Sequence, residues 1–75
     1  MEAYKNLGGD SGVVAYEIGS DYIRVKFSDE SIYLYTNGSA GSHNIREMQR
    51  LARQGQGLNA FINTTVRKNY AMKEQ

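Results

Sequence analysis

Apolar and polar residues alternate along Tyr22–Tyr35, YIRVKFSDESIYLY, and the rest of the chain is organised around that stretch. Ile23, Val25 and Phe27 alternate with Tyr22, Arg24 and Lys26, the period-two pattern of a strand with two unlike faces. Asp29-Glu30 is the expected two-residue turn of a β-hairpin, although the usual Gly is missing. Centred there, the pairing sets Phe27 opposite Ile32 and Val25 opposite Leu34, and residues paired this way share a face. One face then holds Ile23, Val25, Phe27, Ile32 and Leu34, and reads as core. The other holds Tyr22, Arg24, Lys26, Tyr33 and Tyr35, a mixture of rings and cations. A slip of one residue would exchange the two faces of the second strand.

The flanking patterns extend this hairpin. Residues 13–18, VVAYEI, predict a strand, and Gly19-Ser20 a two-residue turn in which Gly supplies a positive φ. Pairing Ile18 with Asp21 brings Tyr16 beside Ile23 and Val14 beside Val25, on the core face. Residues 36–42, TNGSAGS, read as a flexible loop. Asn44 followed by Glu47 resembles a capping box, so a helix is expected from near Ile45. Its apolar stripe is Ile45, Met48, Leu51 and Ala52, and Gly55 suits the left-handed residue that ends it. A second helix is expected over Leu58–Tyr70, with Leu58, Phe61, Ile62, Thr65 and Val66 on one side and Asn59, Asn63 and Arg67 on another. The expectation is an α+β fold of order β-β-β-α-α. A three-stranded antiparallel meander is followed by two helices packed on one face. Residues 1–11 form a loose arm, 12–71 the domain, and 72–75 a frayed tail.

Size and composition narrow the function. A chain of 75 residues makes one small domain with a marginal core and little room to enclose a deep pocket alone. It has no Cys and one His, so neither disulfides nor a Cys- or His-based metal site is expected. No apolar run approaches the ~20 residues of a membrane span. The N-terminus lacks the pattern of a signal peptide. The expected compartment is the cytoplasm, of a bacterial or an infected host cell. Residues 1–45 carry three cations against six anions, and residues 46–75 six cations against two, a basic C-terminal half that suits an anionic partner.

Four groups of residues are candidates for chemistry. Tyr22, Tyr33 and Tyr35 with Arg24 and Lys26 suit base stacking and phosphate binding on a sheet face; burial under a loop or another subunit is the ordinary alternative. Arg46, Arg50 and Arg53, with Arg67 and Lys68, form a cationic ridge able to bind phosphodiesters, or a solvated helix face. Gly55-Gln56-Gly57 before a helix can offer free backbone N–H groups to a phosphate, with Asn59 just beyond, although a tight interhelical turn is the simpler reading. His43 beside Ser42 has no partners for a triad or a metal site. No constellation of catalytic residues emerges, and the chain is not expected to be an enzyme.

Tyr33-Leu34-Tyr35 after the alternating strand, then Gly55-Gln56-Gly57-Leu58-Asn59-Ala60-Phe61-Ile62 and a basic segment ending in Tyr70, resembles the KTSC domain family. That small module occurs alone in bacterial and phage proteins and at the C-terminus of some lysyl-tRNA synthetases. The resemblance covers roughly residues 12–70. It implies a compact α+β domain, no known catalytic activity, and RNA or nucleotide binding. The chain departs from the family at Thr36–Ser42, a Gly/Ser loop where members commonly have Val-Pro. The functional expectation is therefore a non-catalytic binding module for a phosphate-containing ligand, a nucleotide or RNA, without cofactor or membrane association. A homo-oligomer would build the pocket between subunits and sequester, for example, a cyclic nucleotide signal. The alternative is a protein–protein interaction module using the tyrosine-rich sheet face.

Overall fold

A computed structural model describes residues 1–9 and 12–75. The elements run β1 (Glu2–Ala3), β2 (Val13–Ile18), β3 (Tyr22–Phe27), β4 (Ile32–Thr36), α1 (Asn37–Ala40), α2 (Ser42–Gln54) and α3 (Leu58–Phe61). The last continues as a π-helical segment, Ile62–Val66, before β5 (Met72–Lys73). All five strands are antiparallel, in the order β1-β2-β3-β4-β5. The fold is α+β as expected, but the sheet has five strands rather than three. The two additions come from the ends of the chain. Residues expected in a loose arm supply β1, paired Glu2 to Tyr16, and residues expected in a frayed tail supply β5, paired Leu34 to Met72.

The β3–β4 register differs from the expected one by a single residue, and the reason lies in the turn. Phe27 N donates to the Ser31 carbonyl at 2.9 Å and Glu30 N to the Phe27 carbonyl at 2.9 Å, while Glu30 adopts φ 72°. This is a three-residue loop, Ser28-Asp29-Glu30, whose last residue is left-handed. Asp29 locks it: its Oδ1 accepts from Ser31 N at 3.0 Å and from the Ser31 hydroxyl at 2.6 Å. One extra loop residue sets Val25 opposite Tyr33 and Ile23 opposite Tyr35, with Arg24 opposite Leu34 and Lys26 opposite Ile32. Tyr33 and Tyr35 therefore join the helix-covered face, and Ile32 and Leu34 move to the other.

The β2–β3 hairpin is shifted by two residues, so its faces are kept. Glu17 pairs with Arg24 and Ile18 with Ile23, and Gly19 N donates to the Tyr22 carbonyl across Ser20-Asp21. Gly19 is not the left-handed turn residue; a Cβ there would lie 2.0 Å from the Tyr22 ring. A β-bulge between Val13 and Ala15 reverses one further expectation. Val13 is buried, while Val14, expected in the core, is 41% exposed.

The helices bury the stripe expected of them: Ile45, Met48, Leu51 and Ala52 from α2, then Leu58, Ile62 and Val66. The boundaries move. The expected loop 36–42 contains α1, closed by a reciprocal cap between Thr36 and Ser39. It is followed at once by α2, which begins at Ser42, ahead of Ile45. Asn44 donates to the Ala40 carbonyl at 2.8 Å instead of capping. Gly55, at φ 82°, ends α2 as expected. Beyond Phe61 the helix widens and stops at Val66, short of Tyr70. The β-branched run Thr64-Thr65-Val66 is a poor helix former, and the Thr64 hydroxyl bonds back to the Ala60 carbonyl at 2.9 Å. Tyr70 thus lies in the connection to β5, and Thr65 is exposed.

Candidate ligand-binding cleft

The register that turns Tyr33 and Tyr35 towards the helices also creates a chemically mixed recess. It is a cleft of ≈ 360 Å³ between the β3–β4 loop and the π-helical segment. Phe27, Tyr33 and Tyr35 line it from the sheet, Asp29 from the loop, and Asn63 and Arg67 from the helical side. Departures from α-helical geometry recur at functional sites, and here the departure lies at the cleft.

Edge-to-face contacts hold the aromatic floor. Tyr33 meets Phe27 at 5.7 Å and Tyr70 at 4.8 Å between ring centroids, and Tyr35 meets Tyr70 at 6.3 Å. Lys73 Nζ stands 5.8 Å from the Tyr33 ring. Tyr35 is 1% exposed, and its burial, reinforced by Tyr33 and Tyr70, pushes its pKa up to about 12. Its hydroxyl is therefore neutral at ordinary pH. It makes no hydrogen bond among the described residues. No sealed side-chain polar atom among those residues lacks a partner, so the trace of exposure that Tyr35 keeps belongs to this hydroxyl. Tyr35 also lines the cleft.

The rim is polarised. Ser31 holds the Asp29 carboxyl below the usual carboxylate range, by its hydroxyl first and its N–H second. Arg67 and Asn63 are exposed, and Arg67 is in no ion pair among the described residues. Such a site can stack a ring, exchange hydrogen bonds with its edge and hold an anion. No group of three or more His, Cys, Asp or Glu stands together among the described residues to hold a metal.

The remaining sequence-derived candidates lie elsewhere. Tyr22, Arg24 and Lys26 sit on the open sheet face without Tyr33 and Tyr35, so the expected aromatic-cation platform does not assemble. There the Tyr22 hydroxyl donates to Glu17 at 3.1 Å. Arg24 pairs with Glu17 at 2.7 Å and Glu74 at 2.8 Å, its guanidinium 5.0 Å from the Tyr22 ring. On α2, Arg50 is bound to Glu47 at 3.1 and 2.6 Å and to Gln54 at 3.0 Å, while Arg46 and Arg53 are exposed. Arg53 borders a separate, wider groove of ≈ 740 Å³ beside Glu2, Lys5 and Tyr16. Gly57 and Asn59 border a third recess, of ≈ 230 Å³. The helix-start amide of Leu58 there already donates to the Tyr4 hydroxyl at 3.2 Å, and Gly55 is buried against Lys5. Lys68 and His43 are exposed.

Of the candidate residues, Tyr33, Tyr35 and Arg67 come together in the cleft. Sequence reasoning missed Phe27 and Asp29 as site residues, and it placed Asn63 on the Arg67 side of its helix without a role. No family model, curated protein or solved structure matches the chain. No helix of the described residues is long and apolar enough to cross a membrane.

Proposed function

We propose that the protein is a non-catalytic binding module for a phosphate-containing ligand, a nucleotide or RNA. The observation that carries this reading is the convergence in one cleft of an aromatic floor, a tyrosine hydroxyl without a partner and an arginine without an ion pair among the described residues. Rings of this kind stack bases, and arginine holds phosphate oxygens. The resemblance to the KTSC domain points the same way. Homo-oligomerisation belongs to the proposal as well, since it would enlarge a site that a single small domain offers only as a cleft.

The test is a thermal-shift panel of mononucleotides, cyclic mono-, di- and oligonucleotides and short single-stranded RNA, at low and physiological salt. A ligand at ~100 times its Kd stabilises by roughly 2.7 kcal/mol, a rise of about ten degrees or more for a domain this small. The shift should shrink as salt rises. The absence of a shift with every phosphate-bearing ligand would sink the reading.

A second reading has its own observation. The open sheet face exposes Val14 at 41% and Met72 at 55%, with Ile32 and Leu34 between the charged groups. It suits a protein–protein module, though no longer a tyrosine-rich one, since only Tyr22 remains there. Its binding would change little with salt.

A further inference from the structure

Tyr35 is 1% exposed and its hydroxyl is unbonded among the described residues, in a site lined also by Arg67 and Asp29. A hydroxyl that keeps only a trace of exposure and has no protein partner among the described residues leaves hydrogen-bonding capacity unused, and a ligand that bonds it takes up that capacity. The two rims carry opposite charge. Asp29 has Oδ1 engaged by Ser31, and no hydrogen bond reaches its Oδ2 among the described residues. At ≈ 360 Å³ the cleft lies at the lower end of the ~300–1,000 Å³ typical of small-molecule sites. It has room for one nucleotide and is too small to enclose a cyclic di- or oligonucleotide.

We propose, building on the phosphate-ligand reading above, that the cleft takes a single nucleotide unit. Its base lies against Phe27 and Tyr33 with its edge bonded to the Tyr35 hydroxyl, and its phosphate rests on Arg67. Asp29, ionised and able only to accept, favours bases whose exocyclic amino group offers it two N–H donors, so adenine, cytosine and guanine are preferred to uracil, which has only its N3–H. The unit comes either as a free mononucleotide or as one exposed nucleotide of a single-stranded RNA.

Calorimetric titration tests this with AMP, UMP, adenosine and a short single-stranded oligo(A) RNA, against the wild type, Tyr35→Phe and Arg67→Ala. AMP is expected to bind the wild type about tenfold or more tightly than adenosine, and Arg67→Ala to abolish that difference. UMP should bind more weakly than AMP. Tyr35→Phe should weaken AMP about three- to tenfold without lowering Tm, because the hydroxyl has no hydrogen-bond partner among the described residues to lose. A merely structural tyrosine would instead lose Tm and keep its affinity. If oligo(A) binds and AMP does not, with the same losses in both variants, the unit is one presented by RNA and the cleft assignment stands. AMP binding that is unchanged in both variants places the site elsewhere; it overturns this inference and leaves the phosphate-ligand reading intact. Failure of AMP, UMP and oligo(A) while another ligand of the panel above binds overturns this inference alone, and failure of the whole panel overturns both.

Discussion

Tyr22 and Tyr35 belong to one hairpin, yet their hydroxyls meet opposite fates. On the open sheet face Tyr22 donates to Glu17, which also holds Arg24, and Arg24 reaches on to Glu74. Each of these polar groups is satisfied by another. On the helix-covered face Tyr35 is almost wholly buried and its hydroxyl bonds to nothing among the described residues, in a cleft lined also by Arg67, which is in no ion pair among them. The first arrangement is chemically closed, the second has unused donors and acceptors. Abundance of tyrosine and arginine therefore does not locate a binding surface. What locates it is which of them the fold leaves without partners.

That contrast can be broken in several ways, and the largest effect falls on the core. Tyr35→Ala should cost about 3–5 kcal/mol in denaturant unfolding, enough to endanger folding of a domain this small. Tyr22→Ala should cost far less, because Tyr22 is half-buried on an uncovered face. Equal costs would mean that the two faces are not as described.

Alkali comes next. The Tyr35 pKa is about 12 in the folded protein, against ~10 for an unperturbed tyrosine. Above pH ~10 the unfolded chain loses this proton more readily than the folded one, so stability falls as pH rises from ~10 towards ~12. Urea midpoints across this range should show a loss in the wild type that is smaller in Tyr35→Phe. Parallel curves for the two proteins would refute the burial of this phenol.

Smaller still is the turn. Glu30 at φ 72° occupies a region that favours glycine. Glu30→Gly should stabilise by about 0.5–1 kcal/mol, since the loop geometry demands the left-handed residue. A loss of stability would contradict the three-residue loop. Smallest is the open-face network. Arg24→Ala should cost little stability, less still in high salt, with nucleotide binding untouched. A loss of binding would move the site to the open face.

The fold was legible where pattern and chemistry agreed. Val13–Ile18 forms the strand its composition suggests, Ile45, Met48, Leu51 and Ala52 are the buried stripe of α2, and Gly55 ends that helix left-handed. The register of β4 was not legible, because Ile32-Tyr33-Leu34-Tyr35 has a large side chain at every position and either parity buries something. The choice falls to the Asp29–Ser31 bonds and to a glutamate in a conformation glutamates seldom adopt. Val13-Val14 is ambiguous for the same reason, and the bulge decides which valine is buried. Two-residue edge strands such as β1 and β5 are too short for any periodicity to announce them. The site inherited the register error: Tyr33, Tyr35 and Arg67 were candidates, but in groups the fold does not assemble.

The account rests on that register, and proton–proton contacts along the backbone measure it directly. In a nuclear Overhauser spectrum of the free protein, the Hα of Arg24 should lie close to the Hα of Leu34, and the Hα of Lys26 close to that of Ile32, as in narrow antiparallel pairs. This result keeps Tyr33 and Tyr35 under the helices and the cleft in place. Contacts between Val25 and Leu34 instead would return both tyrosines to the open face, and the cleft and everything built on it would fall.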